Sequence, residues 1–190
     1  MRRKQDNRGF TLIELIVATA ILGVVAAGAF TFMVAGANSY RSVYTNVSLQ
    51  YAMQQAMGQM QETILDCNTA MYGSTVAGDD ELYLLSQNPD KTYTLRTYTL
   101  SDGELFYQEI PGVSKGTSAA DIAAGEKHLL LQNVTDFTAV VDGDGSQVAS
   151  VSLSIQLTRQ DKTCSGTQET APRNRALLAS TLANLLQTCE

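Results

Sequence analysis

A chain of 190 residues with a formal net charge of −6 has room for one membrane segment and one modest domain. Its acidity excludes a generic nucleic-acid or anionic-lipid surface, both of which require clustered Lys and Arg. A single histidine, His128, and three cysteines without a CxxC pair exclude the usual structural zinc sites.

The chain opens on a basic leader in which Arg2, Arg3, Lys4 and Arg8 are opposed only by Asp6. Gly9-Phe10-Thr11-Leu12-Ile13-Glu14 follows, and then the 23 residues from Leu15 to Ala37 carry no charge. A bilayer-crossing helix needs about 20 apolar residues. Positive residues stay on the cytoplasmic side, so the amino terminus faces in and the bulk of the chain faces out. A charge inside such a segment costs about 2.5–3.5 kcal/mol on insertion scales, so Glu14 asks for a partner and a purpose. Ala35-Gly36-Ala37 also satisfies the small-x-small rule of signal cleavage. An ordinary secreted protein, or one merely tethered by its helix, is therefore the rival reading. Against it, the run exceeds the roughly 7–15 residues of a signal core, and Glu14 sits badly there.

The leader, the glycine, the phenylalanine and the carboxylate at a fixed offset resemble the processing site of type IV prepilins and of type II secretion and DNA-uptake pseudopilins. The resemblance covers residues 1–37. It implies that a membrane aspartyl peptidase cuts between Gly9 and Phe10 and methylates the new amino terminus at Phe10. Glu14 then becomes the fifth residue of the mature chain. In a fibre its carboxylate neutralises the amine of a neighbouring subunit, a pair whose breakage when buried costs about 3–5 kcal/mol. Residues 1–9 hold four of the 13 basic and one of the 19 acidic side chains, so the mature side-chain balance is −9.

The same resemblance implies an assembly subunit rather than an enzyme, without a cofactor. Its partners are other pilin or pseudopilin subunits, the prepilin peptidase/methyltransferase, the assembly platform with its motor, and the cytoplasmic membrane; no direct nucleic-acid contact is expected. The expected location is the bacterial cytoplasmic membrane as a single-pass protein, and a fibre or the cell surface after processing.

Past Ala37, Val43, Val47, Met53, Met57, Met60 and Ile64 recur at spacings of three or four with one step of six. This predicts an amphipathic helix whose apolar face meets a sheet. No proline interrupts residues 10–66, which allows one helix of about 85 Å at 1.5 Å per residue. The expected organisation is a leader at 1–9, a transmembrane or fibre-core helix at 10–37, an amphipathic helix at 38–66 and an exported domain at 67–190. Small residues such as Gly23, Ala27 and Gly28 permit close helix approach in the membrane half.

Asn68 to Asp80 reads as a connecting loop. Strands are expected at Glu81–Ser86, Thr92–Leu100, Glu104–Ile110, His128–Asp142 and Gln147–Arg159. The last is the clearest, since Val151, Leu153, Ile155 and Leu157 alternate with polar residues, as in an antiparallel sheet with one wet face. Ser101-Asp102-Gly103 and Asp142-Gly143-Asp144-Gly145 supply turn chemistry. Residues 111–127 read as a loop with a short helix. Leu177, Leu178, Leu182, Leu185 and Leu186 give the tail 172–189 a helical spacing. The order implies an α+β fold, a long helix laid on an antiparallel sheet, and it is similar to the pilin fold. The run from His128 to Phe137 and Asp102-Gly103-Glu104-Leu105-Phe106-Tyr107 further resemble the J-type minor pseudopilins, and major subunits tend to be shorter than this chain.

Three other patterns carry a functional and a plainer reading. Gly112-Val113-Ser114-Lys115-Gly116 matches GxSxG, but the chemistry needs a strand-to-helix elbow and a His/acid pair, and a polar stretch follows instead. Asp142, Asp144 and Asp136 could face calcium, yet hairpin turns use the same residues. Asp79-Asp80-Glu81 reads as a solvated loop edge. Cys164 and Cys189 flank the carboxy-terminal segment and are the preferred disulfide. Pairing of Cys67 with either, or three buried free thiols, remains open.

Overall fold

A computed structural model describes residues 10–73, 81–144 and 146–189. The leader with Gly9, the Asp79-Asp80 edge and Gly145 lie outside the described residues. The chain divides into two compact units, Met1–Tyr44 and Thr45–Glu190. Helix α1 runs Leu12–Asp66. Two short helices, α2 (Ala119–Ala123) and α3 (Leu182–Gln187), and nine strands complete the described elements. The α+β arrangement expected from the sequence, a long amino-terminal helix with a curled, largely antiparallel sheet, is the one observed and is consistent with a pilin-like fold.

In the first unit, every described residue from Phe10 to Arg41 is exposed. The most apolar 18-residue window of α1 has a mean hydropathy of 2.3, long and apolar enough to cross a membrane. Two threonine hydroxyls in this stretch are satisfied by the helix itself. Thr19 Oγ1 donates to Leu15 O and Ile16 O, and Thr31 Oγ1 to Ala27 O. Such back-bonding hides the polar atoms from an apolar surrounding.

In the second unit the strands are β1 (Ala70–Gly73), β2 (Glu81–Gln87), β3 (Tyr93–Ser101), β4 (Glu104–Val113), β5 (Lys127–Gln132), β6 (Val134–Asp144), β7 (Gln147–Arg159), β8 (Lys162–Thr170) and β9 (Leu177–Leu178). Their order is β5-β4-β3-β2-β1-β9-β7-β6, with β8 added to β7. Among the described strands only β1 and β9 pair in parallel. The period-two alternation of β2 divides the core. Leu82 and Leu84 join the cluster containing Met53, Met57, Met60 and Ile64 of α1, whereas Tyr83 and Leu85 join Leu185 and Leu186 of α3.

The amphipathic face differs from the predicted stripe. Leu49, Met53, Ala56, Met57, Met60 and Ile64 are buried, but Val43 and Val47 remain 60% and 57% exposed. The step of six from Val47 to Met53 turns a helix by about 240°, which puts the two valines on another face. The expected strand His128–Asp142 is broken at Asn133, which takes a φ of 62°. Asparagine tolerates this left-handed region. The break sends β5 to pair with β4 and β6 to pair with β7.

Strand β8 escapes a hydrophobic pattern because its sequence is almost wholly polar. It is reached through Gln160 and Asp161 at φ 50° and 62°, a turn without glycine. The tail is not one helix. Leu177–Leu178 extends beside β1, Leu177 N donating to Thr69 O and Ala179 N to Met71 O, before Thr181 caps α3. Backbone pairing outweighs the leucine periodicity there.

Two expected turns had different outcomes. Asp102 and Gly103, at φ 52° and 77°, make a tight β3–β4 hairpin of the primed kind. Asp142, Gly143 and Asp144 instead continue β6 through a register shift.

Candidate functional site

The amino-terminal turn of α1 is built on Thr11. Its carbonyl accepts from Glu14 N at 3.1 Å and Leu15 N at 3.2 Å, while its hydroxyl donates to Glu14 Oε2 at 3.3 Å. A carboxylate in the first turn faces the positive end of the helix dipole. Sequence reasoning missed Thr11, although Thr-x-x-Glu at a helix start is a capping-box spacing. Phe10 precedes this turn and is 83% exposed. Glu14 is the one charged residue between Phe10 and Tyr40. The arrangement offers one negative charge, about one helical turn from Phe10, at the end of an exposed apolar helix. Beyond the uncharged run, Tyr40 and Tyr44 stack with ring centroids 6.3 Å apart.

The second unit holds a polar network between β3 and β4. Tyr98, fully buried, sits 5.2 Å from the Tyr107 ring, and Tyr107 OH donates to Glu109 at 2.7 Å. Arg96 pairs with the same carboxylate at 3.2 Å. The hydrogen bond from Tyr107, then the Arg96 charge, hold the Glu109 carboxyl below its usual range, against partial desolvation. Burial pushes the Tyr98 phenol up to about 12. This network clamps β3 and β4 together, with the half-exposed Glu109 carboxylate at its solvent side.

The other sequence candidates disperse. Gly112 and Val113 end β4, Ser114 begins a turn closed by Thr117 N donating to Ser114 O, and a capped helix of five residues follows. His128 pairs with Tyr107, seven residues before Ser114 along the chain, which is roughly 20 Å at strand rise. No nucleophile elbow forms. Asp142 accepts from Gly143 N at 2.8 Å, and among the described residues no three His, Cys, Asp or Glu side chains gather to hold a metal. Glu81 opens β2 and accepts from Tyr83 OH.

The structure does not join Cys164 to Cys189. All three thiols are free. Cys164 packs against the core cluster under α1, and Cys189 belongs to the cluster under α3, so the sheet separates them. Cys67 is fully buried, and desolvation raises its thiol above the ordinary value.

Residues 4–30 match the prokaryotic N-terminal methylation motif. No curated protein and no solved structure matches the chain. The matched segment takes in the end of the leader from Lys4, the Gly9–Phe10 junction, Glu14 and most of the uncharged run. It supports membership of a prepilin-type, type IV pilin-like or pseudopilin family.

Proposed function

We propose that this chain, whose amino terminus carries a prokaryotic methylation motif, is a minor pilin or pseudopilin: a structural subunit of a type IV pilus, a secretion pseudopilus or a DNA-uptake fibre. The observation that carries the reading is the coincidence of that motif with an exposed apolar helix bearing one carboxylate, Glu14. Cleavage between Gly9 and Phe10 creates an amine at the membrane edge, which is methylated. The subunit waits as a single-pass protein of the cytoplasmic membrane with its amino terminus inside and its carboxy terminus outside. On assembly its apolar helix leaves lipid for a bundle of similar helices, and Glu14 sets the register by neutralising a neighbour's amine. Catalysis belongs to the peptidase and the assembly motor, and the exported domain gives the subunit its place in the fibre.

The sizeable second unit favours a minor over a major subunit, as does the resemblance of the segments 102–107 and 128–137 to J-type minor pseudopilins. The test is the intact mass and amino-terminal sequence of protein recovered from its native host. A chain beginning at N-methylated Phe10 is expected. A chain beginning at Asn38 would establish ordinary secretion, and an uncut chain in a host with active peptidase would establish a tether.

A further inference from the structure

On the face of the sheet opposite the α1 core, the β2–β3 turn, the end of β4 and α3 enclose an open groove of about 600 Å³. Lys91, Tyr93, Ser114, Lys115, Gln187 and Cys189 lie along it. Past Lys115 and Gln187 it runs into a second depression of about 330 Å³ walled by Leu182 and Leu186. Both volumes fall within the range of small-molecule sites, about 300–1,000 Å³.

Three observations give the groove a chemistry. In a chain of net charge −6, two lysines line it, and neither has a carboxylate partner among the described residues. The adjacent Asp90 stays ionised but turns its carboxylate to Thr92, accepting from its backbone N–H at 3.1 Å and its hydroxyl at 2.7 Å. Lys91 also stands at φ 65°, a left-handed position where glycine or asparagine is less strained. The motif segment Gly112-Val113-Ser114-Lys115 supplies the opposite rim, with Gly112 at φ 72° bending the end of β4.

We infer that this groove binds an organic carboxylate with an apolar body, its charge held by Lys91 and Lys115 and its apolar part lying along Leu182 and Leu186. The site is lined by no residue of the amino-terminal helix, so it stands or falls separately from the fibre reading. A free polypeptide carboxy terminus and a short fatty acid share this chemistry.

The test is calorimetric titration of the full chain in nanodiscs, with empty nanodiscs as blank. The probes are N-acetyl-Leu-Leu with a free carboxylate, the same dipeptide as its amide, and octanoate. At least one acid is expected to bind about ten-fold more tightly than the amide. The tighter of the two acids identifies the source as peptide or lipid. Lys91→Asn relieves the left-handed strain, so it keeps the fold while losing most of the preference for acid. Lys115→Gln acts in the same direction. Equal binding of acids and amide, no binding of any probe, or an undiminished acid preference in the folded Lys91→Asn protein would overturn the proposal.

Discussion

The Tyr98 hydroxyl lies 2.9 Å from Thr63 Oγ1, a hydrogen bond that ties the buried face of β3 to the last turn of α1. Thr63 Oγ1 also lies 2.9 Å from Gln59 O, to which it donates, so deleting the phenol hydroxyl leaves no orphan on the helix. Tyr98→Phe is therefore expected to lose only about 1 kcal/mol, the net value of one hydrogen bond. Tyr98→Ala empties a fully buried site and is expected to lose about 3–5 kcal/mol. Denaturant unfolding of both variants measures the ratio, and equal losses would remove the packing argument.

Titration extends this network into pH dependence. The folded-state value of Glu109 is depressed, so its contribution is present above the unfolded value, about 4.3, and is lost as pH falls through the folded value. The carboxylate is half-exposed, so the effect is modest. Glu109→Gln should reduce stability at pH 7 and flatten the acid limb below about pH 4. Tyr98 acts with the opposite sign. Its value is raised to about 12, so its contribution is complete below the unfolded value near 10 and fades as pH rises toward 12. Unfolding midpoints measured against pH check both limbs.

Two glycines make a matched pair. A Cβ on Gly73 would lie 2.5 Å from Ala139 O, a backbone atom of β6 that cannot step aside. A Cβ on Gly166 would meet the thioether ends of Met53 and Met57 at 3.0 and 3.2 Å, and methionine repacks readily. Gly73→Ala is expected to destabilise by about 1–3 kcal/mol and Gly166→Ala by less than about 1 kcal/mol. A reversed order in thermal unfolding would show that β1 and β6 do not approach as described.

The thiols give a direct chemical readout. Without reductant, three thiols should titrate in denaturant. In the native protein Cys164, partly exposed, should alkylate first, and Cys67 and Cys189 should be slow. Two equivalents lost in denaturant would mean a disulfide and a different seating of the tail.

At the amino terminus, the fibre reading predicts that Glu14→Ala is still cut after Gly9 but fails to enter fibres. Recovery of the variant in sheared fibres at the native level would sink the role given to Glu14. Thr11→Val, which removes the hydroxyl donated to Glu14, should leave cleavage intact and lower incorporation only partly.

The sequence alone carried the amino-terminal segment, because its signals are local: a basic leader, a fixed-offset carboxylate and an uncharged run act through chain order and solvent preference. It also carried the β7 alternation and the Asp102-Gly103 turn, whose side-chain chemistry dictates the backbone at that spot. What it could not carry were the elements held by partners distant in sequence. Strand β8 is polar along its length and exists because β7 offers it a ladder. The two residues of β9 leave their helical periodicity because the Thr69, Ser146 and Met71 carbonyls accept the backbone donors of Leu177, Leu178 and Ala179 respectively. Val43 and Val47 read as core and lie exposed, since the sheet meets one face of α1 and sequence spacing alone does not say which. Tertiary structure likewise separated Cys164 from Cys189 and drew Lys91 and Lys115 to one groove. Both outcomes depend on which face of a sheet each strand and turn presents, a choice made by long-range pairing rather than by any local preference.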